Sequence, residues 1–103
     1  MSRTVTVGVE VLPLCDDPYP VVDKAIAAIK ATGIKHQVCP METVLEGTLD
    51  ECLAAARAAH EACFDGTVRR ALTIIKISDC VDGSTIDDKM AKYRCWRIWC
   101  RAA

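Results

Sequence analysis

The sequence predicts one α+β domain in the order βαββαβ: a four-stranded antiparallel sheet, two helices on one of its faces, and a further helix at the C-terminus. Three observations predict it. From Arg3 to Leu12 apolar and polar residues alternate, with Val5, Val7, Val9 and Val11 on one side, the period of a half-buried strand. Two later segments carry apolar residues at helical spacing, each with a start signal and a glycine stop. The length of 103 residues suits one hydrophobic core, so residues 1–103 are read as a single domain.

Taken in order, Pro13 ends the first strand, and Asp17 before Pro18 suits a helix cap followed by proline in the first turn. Val22, Ala25, Ile26 and Ile29 form the stripe of a helix running to Thr32, which Gly33 stops. Ile34 to Cys39 and Thr43 to Glu46 are short extended pieces joined at Cys-Pro-Met, a hairpin with a kinked turn or bulge. Thr48-Leu49-Asp50-Glu51 is a capping box, so a second helix follows to Phe64 with Leu49, Cys52, Leu53, Ala56, Ala59, His60 and Cys63 on its inner side. Val68 to Ser78 is the last strand. Its run Ala-Leu-Thr-Ile-Ile-Lys-Ile is too apolar for an exposed edge, which predicts a central position. After the Asp82-Gly83 turn, Ser84 or Thr85 starts a third helix through Trp99.

This strand order is the split βαβ arrangement. It leaves one sheet face bare, lined by Thr4, Thr6, Glu10 and Lys76, and predicts a homo-oligomer with a pocket between sheet and partner.

Composition excludes several classes. A net charge of −1 offers no field for polyanions, so no nucleic-acid partner is expected. No leader-like segment opens the chain and no run approaches the roughly 20 apolar residues that span a bilayer, so the reading is cytoplasmic with no membrane partner. The seven cysteines are odd in number, without a C-x-x-C pair and with only two histidines, so neither a disulfide framework nor a metal site is expected. Cys52 and Cys63 fall on one helix side as small hydrophobes, while Cys95 and Cys100 are expected to be exposed and oxidisable. Gly-rich phosphate loops, H-E-x-x-H and G-x-S-x-G are missing, so no catalytic residue and no cofactor is assigned.

The most informative segment is Met41 to Thr48, where a hairpin strand delivers Thr43 and Glu46 just before a helix. With Leu12-Pro13-Leu14, His60 and Ile75-Lys76-Ile77-Ser78-Asp79, it resembles the thiamine-binding family of YkoF-like and MTH1187-like proteins, the UPF0045 type, from Val5 to Tyr93. The family's T-x-x-E-G matches Thr43, Glu46 and Gly47, and its K-I-x-D matches Lys76, Ile77 and Asp79. The resemblance implies a ferredoxin-like subunit, dimers or tetramers, and binding of thiamine or its hydroxymethylpyrimidine portion without a chemical step.

That ligand's chemistry suits these residue types. An aminopyrimidine needs an acceptor for its amine, and a carboxylate offsets a thiazolium charge. Thr43 and Glu46 are the first choices for ligand binding. Glu46 could alternatively hold the start of the following helix. Glu10 is a further candidate from the open sheet face, matched by no family motif, with a solvated strand residue or a Lys76 pair as the alternative.

The chain departs from the family at Pro13-Leu14-Cys15, where Pro-x-Gly is usual, and at Cys80, where arginine is usual, so the loop loses glycine's freedom and the site a fixed cation; Cys15 and Cys80 as neighbouring thiols is the lesser of the two readings of these positions. His60 reads as a satisfied core histidine rather than a base, and His36 as a solvated strand residue. The stretch 92–101 forms an amphipathic end, with Tyr93, Trp96 and Cys100 on one side, suited to docking on the domain or a sister subunit. The functional alternatives to vitamin binding are an oligomeric regulatory or interaction module and a cofactor-free enzyme using His60 or a cysteine.

Overall fold

A computed structural model describes residues 3–93. Alternation from Val5 produces β1 (Val5–Pro13), whose Val5, Val7 and Val9 are buried. Helix α1 (Tyr19–Ala31) buries Val21, Ala25 and Ile29. Its N-cap is Pro18, with no side-chain cap bond, so Asp17 is not the capping residue expected. The hairpin comprises β2 (Lys35–Val38) and β3 (Thr43–Gly47), and α2 (Leu49–Ala62) follows at once. The capping box forms as predicted: the Glu51 N–H donates to the Thr48 hydroxyl at 3.2 Å and the Thr48 N–H to the Glu51 carboxylate at 3.0 Å. Small residues, Cys52, Ala55, Ala56 and Ala59, bring α2 close to the sheet, while Leu49 and Leu53 fall outside the contact and stay exposed.

The strands run in the order β2-β3-β1-β4 (β4, Ala71–Ser78), antiparallel throughout, which gives the ferredoxin-like α+β fold expected. One core joins Val5, Val7, Val9 and Leu45 of the sheet to α1 and α2. Burial at 25–30 cal/mol per Å² makes this aliphatic layer the main source of stability.

The last strand corrects the sequence reading. It is an edge rather than a centre, and Leu72 (53%), Ile74 (41%), Ile75 (42%) and Ile77 (50%) stay exposed on both of its faces. An apolar run signals a preference for burial but does not fix where the strand lies in the sheet.

The face opposite α1 and α2 is not bare either. At one end the Thr6 hydroxyl donates to the Ser84 carbonyl at 3.1 Å and shares a 3.0 Å hydrogen bond with the Ser84 hydroxyl. Thr85 then caps the short α3 (Ile86–Met90), which continues as a 3-10 turn at Ala91–Tyr93. Thr6, Ser84 and Ile86 are buried there. The remainder of the expected third helix, with Cys95, Cys100 and both tryptophans, lies outside the described residues.

Strand lengths differ in a way that shapes the site. β1 pairs with β4 from Thr6↔Ser78 to Pro13↔Ala71, but its ladder with β3 stops at Val9↔Thr43. The Cys39 N–H donates to the Glu42 carbonyl at 2.8 Å, so the hairpin turns over Pro40 and Met41 before reaching the end of β1.

Candidate functional site

Where β3 stops and β1 continues, a cavity of about 500 Å³ opens between β1, the hairpin turn and α1. Val9, Val11 and Pro13 form its floor, Val22, Ile26 and Ile29 of α1 one wall, and Val38, Met41 and Thr43 of the hairpin the other. Tyr19 and Met41 stand at the mouth, 77% and 78% exposed. The lining is aliphatic with a few polar groups at one side, the composition of a small-molecule pocket.

Thr43 sits opposite Val9 on the helix-facing side, 5% exposed, and its side chain makes no hydrogen bond to any described residue. Glu10 lines the same cavity, and no described residue hydrogen-bonds or ion-pairs with its carboxylate. A second carboxylate, Glu42, also borders the cavity. It folds across the sheet over Gly8 to meet the Lys76 ammonium at 3.0 Å. A methyl group at position 8 would overlap that carboxylate and displace it from this path across the sheet. One negative charge at the rim is thus compensated and the other, Glu10, is not.

Glu46 stands elsewhere. A spacing of three along an extended strand puts Thr43 and Glu46 on opposite faces. Glu46 lies opposite Thr6 and Lys35, accepts the Ile86 N–H at 2.7 Å and meets the Lys35 ammonium at 3.1 Å, with 12% of its side chain exposed. It anchors the start of α3 rather than of the helix that follows it in sequence. The helix-facing cavity is thus bordered by Thr43 and not by Glu46, and alternation along β1 sends the Glu10 side chain to the same sheet face as Glu46. Sequence reasoning missed Glu42, Tyr19 and Met41; the signal that would have found them is the mismatch between a long first strand and a short hairpin.

The other candidates resolve into structural contacts. His60 and Thr73 share a 2.6 Å hydrogen bond between α2 and β4, and the His60 ring meets Phe64 edge to face, in keeping with a satisfied core histidine. Asp79 takes both ends of the Arg3 guanidinium at 2.7 and 2.8 Å, which holds its carboxyl below the usual range. Cys15 and Cys80 are far apart: they follow opposite ends of the β1–β4 pairing, seven residue steps or about 24 Å along the strand. Burial pushes the Cys52 thiol up to about 11, so it is an inert core residue. Among the described residues no group of three or more His, Cys, Asp or Glu side chains could hold a metal ion, and no helix is long and apolar enough to cross a membrane.

Comparison with known proteins identifies the family. The family model described as "Thiamine-binding protein" matches residues 7–94. A UPF0045 protein of Clostridium perfringens is 40% identical over 93 residues, covering 88% of this chain and 98% of that protein. The solved structure of a domain of unknown function, DUF77, from Bacillus cereus superposes with a TM-score of 0.85 at 42% identity, covering 91% of this chain and 93% of the other. A candidate thiamine biosynthesis/salvage protein of Thermotoga maritima gives a TM-score of 0.80 at 30% identity, with 89% and 100% covered. Sequence and fold agree over nearly the full described length, so the chain belongs to the thiamine-binding protein family of UPF0045 type.

Proposed function

We propose that this protein binds thiamine, or its hydroxymethylpyrimidine portion, in the cavity at the free end of β1, and releases it unchanged. The observation that carries this reading is a pocket of about 500 Å³ with an aliphatic floor and, on its hairpin wall, a Thr43 hydroxyl that no described residue engages. The pyrimidine fits between Val11 and the α1 wall, with the Thr43 hydroxyl as a polar contact. Tyr19 and Met41 offer aromatic and thioether surface to a flat ring. Glu10, whose side chain leaves β1 on the opposite face, reaches toward the thiazolium cation around the strand edge that β3 leaves free, and Glu42, held by Lys76, adds a weaker negative field. Glu46 serves by keeping α3 over the opposite face.

Oligomerisation is part of the proposal. An edge strand exposing four large aliphatic side chains, with no lysine at its outer positions other than Lys76, is not protected against pairing, and a second copy of the chain would cover it. A monomer in analytical ultracentrifugation at micromolar concentration overturns this part.

Titration calorimetry with thiamine and with 4-amino-5-hydroxymethyl-2-methylpyrimidine tests the ligand. Glu10→Gln is expected to weaken thiamine roughly tenfold and leave the uncharged pyrimidine nearly unchanged, because only thiamine carries the cation. Thr43→Val is expected to weaken both. Absence of heat with either ligand overturns the assignment and favours the interaction module, for which the exposed β4 edge is the specific support.

A further inference from the structure

We propose that the main chain of Val11 is the recognition element of the cavity, its N–H and C=O forming a donor–acceptor pair for the edge of an aminopyrimidine. This deepens the ligand reading above and rests on it.

Strand geometry assigns the direction of these groups. The Leu14 N–H donates to the Arg70 carbonyl at 2.9 Å, and Arg70 is directly opposite Leu14 in the register that pairs Pro13 with Ala71. In an antiparallel ladder, residues that exchange hydrogen bonds with their opposite neighbour alternate with residues that face the other way. Leu14, Leu12 and Glu10 therefore turn both main-chain groups toward β4, and Pro13, Val11 and Val9 turn theirs away from it. On that side Val9 meets Thr43. Val11 would meet position 41, but the hairpin has already turned over Pro40 and Met41, and no described residue hydrogen-bonds the Val11 main chain. Pro13, next along, has no N–H to leave stranded. Val11 therefore carries an open donor and an open acceptor aimed the same way, and Pro13 adds only a further carbonyl.

An unpaired N–H and C=O in a largely apolar recess gain more from a ligand than they would in water. A 4-aminopyrimidine presents the complement on adjacent atoms: the ring nitrogen accepts from the Val11 N–H and the exocyclic amine donates to the Val11 carbonyl. The 4-oxo analogue reverses both roles, with a carbonyl where the amine was and an N–H at the ring nitrogen. With the ring held in one orientation by its methyl and hydroxymethyl groups, the edge selects amino over oxo pyrimidines without a charged side chain, which frees Glu10 for the cationic part of the ligand.

The test follows the Val11 amide signal of the isotope-labelled full chain during titration with three probes: 4-amino-5-hydroxymethyl-2-methylpyrimidine, its 4-oxo analogue, and plain 4-aminopyrimidine. The amide is expected to shift with both amino compounds and to stay in place with the oxo compound. Val11→Pro removes the N–H while sparing the β4 ladder, and is expected to weaken the amino ligand roughly five- to tenfold. Should that variant misfold, the wild-type titration decides alone. Binding heat for the hydroxymethylpyrimidine with a stationary Val11 amide, or equal affinity for the oxo analogue, overturns the main-chain edge and leaves vitamin binding standing. A Val11 shift with 4-aminopyrimidine but no binding of thiamine or its pyrimidine supports the edge and overturns the vitamin. No shift with any of the three, together with no binding heat for thiamine or its pyrimidine, overturns both.

Discussion

Through its first half β1 has β3 on one side and β4 on the other, with Val5 and Val7 packed under the helices and Thr6 covered by Ser84 on the opposite face. Past Val9 the same strand keeps only β4, and beside it lies an open volume of about 500 Å³. The two halves carry almost the same residue types, alternating valine with small or polar neighbours. Neighbouring strand length, not local composition, decides which half becomes scaffold and which becomes site.

Truncating the scaffold half should have the largest effect. Leu45 has no exposed surface and packs opposite Val7, so Leu45→Ala is expected to cost about 2–5 kcal/mol in urea unfolding. Val11→Ala, at a half-buried position beside an existing cavity, is expected to cost clearly less. Equal losses would erase the distinction between the halves.

A sharper contrast comes from the two carboxylates. Glu46→Ala leaves the Ile86 N–H without its acceptor at the sealed end and is expected to cost about 1–3 kcal/mol, with thiamine affinity of the folded fraction unchanged. Glu10→Gln, at the open end, should do the reverse, sparing stability and weakening thiamine. Loss of thiamine affinity in the Glu46 variant would relocate the ligand to the sealed face.

On the side where β4 begins, the loop after α2 is tied to α1 through Asp65, which accepts from the Lys24 ammonium at 2.6 Å and from Thr67. These bonds hold its carboxyl well below the usual carboxylate range. A depressed folded value stabilises above the ordinary carboxylate range and is lost as pH falls through the folded value. Asp65→Asn should therefore lower the melting temperature at pH 7, with the gap to wild type narrowing from about pH 4 downward. A gap that widens in acid would reverse the assigned sign.

The smallest effect is a labelling pattern. Cys15 and Cys80, one beyond each end of the β1–β4 ladder, are exposed and should react with iodoacetamide in the native protein, while Cys52 and Cys63 react only after unfolding. An oxidative cross-link between Cys15 and Cys80 within one chain would contradict the register.

Much of the scaffold was legible in the sequence because its causes are local. Alternation marks β1, the Thr48–Glu51 box marks the start of α2, and His60 sits as a bonded core residue. The place of β4 was not legible, since an apolar run reports a need for cover and not what supplies it. Family motifs directed attention to Thr43 and Glu46 as a pair, although odd spacing on a strand separates them. Glu42 escaped notice because its role depends on a missing side chain at Gly8, four strand residues from any motif. The main chain of Val11 has no letter of its own.

The two-residue turn at Pro40 and Met41 works as a ruler. Adding one residue to each arm of the hairpin would carry β3 one step further, give Val11 a strand partner and shut the recess. Relatives built on this plan could thus change the size of molecule they accept by counting hairpin residues, with no exchange of lining side chains at all.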